Sequence, residues 1–317
     1  MRRAEPSGEW PSAADLARFS LAAQHPLTRR WIDDALRLQL LAQERAFDLK
    51  LATDLELAAQ RAGFLKVGQP PEAFLNRWVR VSAQVQAMLS IRFEGLNRDR
   101  PFVDASVLSR PLTALDFPAL LQAAYEVYGA FQPLYLRLWS AASAGAFPQA
   151  RPDKRFLAAP ITDLRGRSVP PELSLSPTRD LSRYEQAQAA YDAVDARHPA
   201  HPQQAALQSR EDLQESIEAG TLFDVQVSSE WAGYVGATQD CEGGALGLPA
   251  YVVQELIMSA PFRGRGYGAA LSTLLARALP DEQHILVGTI HAENRGAIAA
   301  ALRSGRVDVG GWLQLVF

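Results

Sequence analysis

Residues 251–279 constrain the fold more than any other segment of this chain. An apolar strand pattern over 251–258 runs into a loop with Gly264, Gly266 and Gly268, and a helical pattern over 269–279 follows. Glycine lets backbone N–H groups turn towards a ligand with no Cβ in the way. A helix start adds unpaired N–H groups and the positive end of the helix dipole. The segment therefore predicts a strand, a phosphate cradle and a helix in succession.

Three kinds of phosphate loop compete for this segment. A P-loop is excluded because the pattern G-x-x-x-x-G-K-[ST] does not occur in the chain. Gly264, Gly266 and Ala269 fit the dinucleotide pattern G-x-G-x-x-A, but that fold needs further strand–helix units, and too few residues remain after the loop. A plain glycine turn between a strand and a packed helix is the alternative without a ligand.

The third kind of phosphate loop is indicated by the pattern Arg263-x-x-Gly266-x-Gly268. This pattern resembles the acetyl-CoA loop of the GNAT family of N-acetyltransferases, which has the form [QR]-x-x-G-x-[GA] between a central strand and a helix.

A second family signature follows at the expected distance. A strand pattern at 285–290 precedes Asn294-x-x-Ala297, which opens a helical pattern that ends at Gly305. This is similar to the N-x-x-A helix of the GNAT family. Two motifs in the right order are more specific than either alone, and the resemblance covers roughly residues 172–317.

The resemblance implies an α/β (α+β) fold for a domain at residues 171–317, with a mixed, mostly antiparallel sheet and flanking helices. The sequence predicts a separate domain at residues 1–170, which its leucine- and alanine-rich patterns indicate to be helix-rich. The sequence Gln-Ala-Ala-Tyr occurs at residues 122–125 and again at 188–191. Either the first domain is a degenerate GNAT-like unit, or two alanine-rich helices are similar by chance.

The family also implies acetyl-CoA as cosubstrate and an amine, on a small molecule or a protein, as acceptor. Backbone groups of the strand before the loop would contact the thioester, Arg263 and Arg265 would add positive charge at the rim of the cradle, and Asn294 would bind the cofactor or cap its own helix. The predicted cofactor-binding residues are Met258, Arg263, Gly264, Arg265, Gly266, Tyr267, Gly268, Ala269 and Asn294.

Glu255 and Leu256 are the predicted catalytic residues. Glu255 is the candidate general base, because a carboxylate in an apolar strand tends towards a raised pKa; the alternative is a strand-end glutamate paired with an arginine. The Leu256 backbone would face the developing oxyanion. His291 is a second candidate base, or a surface histidine.

Two departures from the family pattern bear on catalysis. The tyrosine that often protonates the CoA thiolate is replaced by Ala301, and the aromatic residue after the motif glycine is replaced by Arg306. The rival function is therefore a non-catalytic, regulatory acyl-CoA-binding module.

Composition limits the partners. A net charge of −3 gives no electrostatic case for binding nucleic acid or a membrane. Cys241 is the only cysteine, so an intrachain disulfide is impossible and a reducing cytosol is the expected location. The three lysines among 32 basic residues indicate the codon bias of a GC-rich bacterium. No metal site is predicted, since His198 and His201 lie in a proline-containing loop pattern without the spacing of a ligand set.

Overall fold

A computed structural model describes residues 10–198, 200, 204–240, 244–280 and 283–317 of the chain. The helices of this part are α1 Ala13–Ala22, α2 Asp34–Thr53, α3 Leu55–Leu65, α4 Phe117–Tyr128, α5 Ile161–Arg165, α6 Tyr184–Asp195, α7 Arg210–Glu218, α8 Tyr267–Ala278 and α9 Arg295–Arg303. Its strands are β1 Arg77–Arg80, β2 Gln86–Phe93, β3 Pro101–Leu108, β4 Tyr135–Ser140, β5 Arg151–Pro160, β6 Leu173–Pro177, β7 Leu222–Val227, β8 Glu230–Asp240, β9 Ala250–Met258, β10 Ile285–His291 and β11 Val307–Val316. Strand pairing is mixed and mostly antiparallel, which confirms the predicted fold class.

The described residues form two compact units, and neither is contiguous in sequence. The first lies within Met1–Asp153, Glu242–Leu248 and Gly310–Phe317, and the second within Lys154–Cys241 and Pro249–Val309. The predicted division into domains 1–170 and 171–317 stays a prediction. None of the described helices is long and apolar enough to cross a membrane.

In the first unit the strands follow the order β1-β2-β3-β4-β11. β3 and β4 are parallel and α4 connects them, while the C-terminal part of β11 pairs antiparallel with β4 from Gly311 to Val316. Parallel neighbours need such a crossover connection. Apolar residues of β2, β3 and α4 form the core of this unit, among them Leu89, Val103 and Leu120.

The second unit has the order β5-β10-β9-β8-β7-β6. α8 is the crossover between the parallel strands β9 and β10, and it covers one face of the sheet through Leu271 and Leu275. α6 and α7 contribute to a second apolar cluster with Tyr191, Leu213 and Ile257. Side chains along β9 thus alternate between a face with α8 and a face with α6 and α7.

Two helix predictions are corrected in the N-terminal part. In the sequence, the pair Pro70-Pro71 and the pattern that follows predict a helix that reaches about Met88. The structure instead has a single 3₁₀ turn there, followed by β1 and β2. The proline pair does start a turn, but the apolar residues beyond it pack into a sheet. Gly63 is also a plausible helix stop in the sequence, but α3 runs through it and ends at Lys66 in the left-handed conformation.

The repeat at residues 122–125 and 188–191 does not mark equivalent elements. The first copy lies in α4, the crossover between two parallel strands. The second lies in α6, which follows β6, a strand that pairs antiparallel with β7. By topology, α4 corresponds to α8, so the similarity of the two segments reflects two alanine-rich helices.

Candidate functional site

The glycine loop ends at an uncapped helix start. Gly264 and Gly266 have φ angles of +75° and +85°, and a Cβ added to either would meet no described protein atom within 4 Å. Gly266 is the N-cap of α8, and the structure shows neither a side-chain cap nor an acidic residue in the first turn. The first N–H groups of a helix have no partner within it. This concave, open loop is therefore suited to an anion.

Arg263 fixes the loop from within the protein. Its Nε donates to the Met258 carbonyl at 2.6 Å, and its Nη2 donates to the Ala190 carbonyl of α6 at 2.5 Å. Burial lowers the pKa of this guanidinium from its ordinary value. The side chain ties the end of β9 to α6, which holds the loop in place.

Arg265 and Tyr267 flank the open side of the loop. Arg265 is exposed, with its guanidinium 5.8 Å from the centre of the Phe262 ring. The Tyr267 ring is buried, and its hydroxyl donates to Glu172 Oε1 at 3.0 Å. The Arg265 side chain is thus accessible, whereas the Tyr267 side chain is buried and its backbone N–H is the first of α8.

The remaining predicted binding residues lie in α8 and at the start of α9. Gly268 and Ala269 occupy the first turn of α8, and a Cβ at Gly268 would lie 3.4 Å from the Ala300 Cβ of α9. Asn294 is the N-cap of α9, and its Oδ1 accepts from the Ala297 N–H at 3.1 Å. The capping role of Asn294 is thus present in the structure, and its cofactor contact stays a prediction.

β9 and β10 separate beside the loop. They pair only at their first residues, ending with Val252 opposite Val287, although β9 continues to Met258. The register of β9 against β8 shifts between Gly236 and Ala237, which leaves Gln254 as an extra residue in β9. A bulge of this kind bends a strand. Beyond it, the backbone from 254 to 258 no longer pairs with β10, and we call this unpaired stretch between the two strands the gap. The predicted residues Leu256 and Met258 lie along it.

Glu255 follows the bulge and points towards α6. Its carboxylate is fully buried; it accepts from the Tyr191 hydroxyl at 2.7 Å and from the Gln208 N–H at 2.8 Å. Burial raises the pKa of Glu255 to about 7, against the opposing effect of these two hydrogen bonds. The described partners are thus a hydroxyl and an amide rather than the arginine considered from the sequence. A carboxyl group with this pKa exchanges a proton near neutral pH.

His291, the second candidate base, takes part in a local turn. His291 ends β10, is partly exposed, and its Nδ1 accepts from the Glu293 N–H at 3.3 Å. This hydrogen bond belongs to a local turn before α9. His201, the second histidine of the pair weighed from the sequence, lies outside the described residues.

Arg306 occupies the interior of the unit near Ala301. Ala301 is fully buried in α9, and its carbonyl accepts from the Arg306 N–H at 3.2 Å. The Arg306 side chain is 3% exposed and its Nη2 donates to Ser272 Oγ of α8 at 3.2 Å. Its Nε and Nη1 have no hydrogen-bond partner among the described residues.

Sequence reasoning missed Tyr191 as a partner of Glu255. It lies two turns into an alanine-rich helix, and its contact with Glu255 spans 64 residues. Only its position on the apolar face of α6, beside Ala187 and Ala190, could have pointed towards the sheet.

The fold is similar to that of solved acetyltransferases. A GCN5-related N-acetyltransferase from Sphaerobacter thermophilus aligns over 96% of this chain and 93% of its own, with a TM-score of 0.50 and 13% identity. An acetyltransferase of the GNAT family from Colwellia psychrerythraea aligns over 82% of this chain and 94% of its own, with a TM-score of 0.45 and 12% identity. A tandem GNAT protein from the clavulanic acid biosynthesis pathway, solved without AcCoA, aligns over 83% and 95%, with a TM-score of 0.38 and 14% identity.

No protein-family model matches the chain, and no curated protein matches it. At these identities the likeness to solved structures concerns the fold alone. The chain has a GNAT-like fold, and the similarity to the Sphaerobacter structure extends over both units.

Proposed function

We propose that this protein is an acetyl-CoA-dependent N-acetyltransferase that transfers the acetyl group directly to an amine. The observation that carries the proposal is the open glycine loop at the uncapped start of α8, placed beside the gap between β9 and β10. The GNAT-like fold supports it, because that family places acetyl-CoA at the corresponding loop. The cytoplasmic location and bacterial origin predicted from the sequence belong to the same proposal.

The residues present fit the cosubstrate. The N–H groups of Tyr267, Gly268 and Ala269 begin α8 and would face the pyrophosphate, with Arg265 at the rim. The absence of Cβ atoms at the two left-handed glycines leaves room for that close approach. The pantetheine would lie in the gap that opens after Val252, against the backbone of Leu256 and Met258.

The acetyl group would pass from the CoA sulfur to the amine nitrogen in a single addition and elimination. The amine nitrogen attacks the thioester carbonyl carbon, the C–N bond forms, the C–S bond breaks, and the electron pair leaves on sulfur. A backbone N–H near Leu256 would stabilise the oxyanion. Glu255 would receive the amine proton, and its pKa of about 7 suits that exchange. Because Glu255 has no exposed surface, the proton would reach it through the Tyr191 hydroxyl or water.

The second candidate is a regulatory acyl-CoA-binding module without catalysis. Two observations favour it: Ala301 offers no hydroxyl for the leaving thiolate, and Glu255 is closed off by Tyr191 and Gln208. Such a module would bind CoA thioesters through the same loop and acetylate nothing.

Calorimetry with CoA and an acetyl-transfer assay against a panel of amines test the proposal. We expect Gly266→Val to abolish CoA binding, because valine at a φ of +85° distorts the loop and places its side chain where the phosphate would lie. Gly220→Val is the matched control, since Gly220 has a φ of +70°, also has open space around it, and lies after α7. Wild-type affinity in the Gly266 variant would contradict the proposed site, and CoA binding without any transfer would favour the module.

A further inference from the structure

Arg306 is a buried cation for which the described part of the chain provides no counter-charge. One of its nitrogen atoms contacts Ser272, and two others have no partner among the described residues. Burial alone lowers the pKa of Arg306, to about 10, with no contribution from a neighbouring charged group. The nearest acidic residue in sequence, Asp308, is already held by Arg155, whose Nη2 donates to it at 2.8 Å.

An uncompensated charge in a protein interior is costly, and buried charges are normally paired. The neutral side chain of Ser272 does not offset that cost. A fold that retains an unpaired guanidinium in this position is suited to a negative charge that arrives with a ligand or forms during a reaction.

The position of Arg306 indicates where that charge would lie. Its Nη1 is 2.6 Å from the point where a Cβ on Gly288 would stand, so the guanidinium lies directly over Gly288. Gly288 is the first residue of β10 beyond the last pair with β9, which is Val287 with Val252. Leu286, two residues earlier on the same face, packs with α8. The guanidinium thus lies between α8 and the point where β9 and β10 separate.

We infer that Arg306 stabilises the thiolate of CoA as the acetyl group leaves, in place of the hydroxyl that Ala301 lacks. The inference rests on the proposed function. As the C–S bond breaks, its electron pair goes to sulfur, and the free Nε–H and Nη1–H groups of Arg306 donate to that sulfur. No proton has to move, because arginine stays protonated and a CoA thiolate can leave as the anion. The negative charge exists only after bond cleavage has begun, so this contact lowers the barrier more than it strengthens binding.

CoA also carries negative charge on its phosphate groups, but the proposed phosphate site lies further from Arg306 than the sulfur would. Ser272, which holds Arg306, lies six residues after Gly266 along α8. At 1.5 Å per residue this is about 9 Å from the helix start, where the pyrophosphate would bind. The pantetheine between the two regions is neutral, so the sulfur is the group that becomes negative beside Arg306.

Titration of the thiol of bound CoA tests the inference directly. Ultraviolet absorbance of the thiolate gives the pKa of CoA bound to the wild type, to Arg306→Met and to the control Arg303→Met, whose arginine is exposed at the end of α9. A cation at contact distance lowers the pKa of an acid by about 1–3 units. We expect this lowering in the wild type and in Arg303→Met, and a return towards the value of free CoA in Arg306→Met.

The kinetic expectation separates catalysis from binding. Arg306→Met should reduce kcat by about 10²-fold, as the loss of one oxyanion donor does, with little change in CoA affinity. Methionine in place of an unpaired buried charge is compatible with folding, and Arg306→Gln is a second uncharged variant. Equal thiol pKa values in the wild type and both uncharged variants would overturn this inference alone. Failure of the wild type to bind CoA would overturn it together with the proposed function.

Discussion

Two segments of this molecule share a topology and differ in chemistry. In each unit a strand with a one-residue bulge leads through a loop into a crossover helix and a parallel strand: β3-α4-β4 and β9-α8-β10. Each parallel pair holds for only three residues. The backbone arrangement is thus present twice, whereas the glycine loop occurs once.

The helix starts show the first difference. At α8 the N-cap is Gly266, and no side chain covers the first turn. At α4 the N-cap position is occupied by Asp116, whose carboxylate accepts from the Thr113 N–H at 2.7 Å and from Arg110 Nη2 at 2.7 Å. This carboxylate caps the 3₁₀ turn before α4 and not α4 itself. The first unit therefore has an acidic side chain of its own beside the helix start, whereas the start of α8 has none.

The residue after each bulge shows the second difference. In β9 it is Glu255, with a pKa raised to about 7. In β3 the extra residue is Ser106, and Val107 follows it. Val107 offers no proton acceptor. The comparison shows that the fold provides the unpaired stretch between the parallel strands and the start of the crossover helix. A few side chains then decide whether that place can bind an anion and exchange a proton.

The largest expected effect concerns this second difference. Glu255→Gln should reduce turnover by roughly 10²- to 10⁴-fold, the usual contribution of a general base, with CoA affinity little changed. Glutamine keeps the shape and can still accept from the Gln208 N–H, but cannot take up the amine proton. Steady-state kinetics and calorimetry on the same preparations provide the measurement. Full activity in this variant would exclude Glu255 as the general base and would not affect the proposed CoA-binding site.

The next effect transfers the chemistry of α4 to α8. Gly266→Asp should weaken CoA binding by about 10³-fold, because two unit charges 4 Å apart repel by about 4 kcal/mol at an effective dielectric constant of 20. Gly266→Asn is the matched control, since asparagine has the same shape and tolerance of a positive φ without the charge. Equal affinities in the two variants would show that the loop does not bind an anion.

A smaller effect is the pH dependence of stability that Glu255 causes. Its pKa rises from 4.5 in the unfolded chain to about 7 in the folded protein, so the folded state favours the protonated form. The protein should lose about 3 kcal/mol of unfolding free energy between about pH 4.5 and pH 7, at 1.36 kcal/mol per pKa unit. Denaturant unfolding over this range should show the loss in the wild type and not in Glu255→Gln. At pH 8 the variant should be the more stable protein.

Helices and strands could be predicted from the sequence where the local turn, cap and apolar patterns agree with the packing in the folded protein. The glycine loop, the strand before it and the helix after it are observed close to their predicted bounds. The pair Thr53-Asp54 is a possible helix start in the sequence, and Asp54 is the N-cap of α3. The false helix after Pro71 shows the limit. A local start signal was present, but Val85, Ala87 and Leu89 are buried in a core that only distant strands complete.

The environment of the site residues could not be predicted for the same reason. Whether Glu255 meets an arginine or a tyrosine depends on α6 and on Gln208, which lie 64 and 47 residues away. Arg306 was noticed as a departure from a motif. Its lack of a counter-charge depends on Ser272 and Gly288, which separate elements bring to it.

The smallest expected effect tests whether the Asp116 carboxylate alone distinguishes the two segments. Asp116→Asn should cost about 1 kcal/mol of stability, because it weakens the capping box of the 3₁₀ turn before α4 and a partly exposed ion pair with Arg110. Asp116 has a lowered pKa, chiefly through its hydrogen bond from Arg110, so this contribution is present at neutral pH and lost as the pH falls through that pKa. CoA should still bind once per chain, because α4 lacks the glycine loop and has Pro118 as its second residue, which has no N–H to donate. A second CoA per chain in calorimetry of this variant would mean that the first unit is a blocked site rather than one that never had the residues to bind.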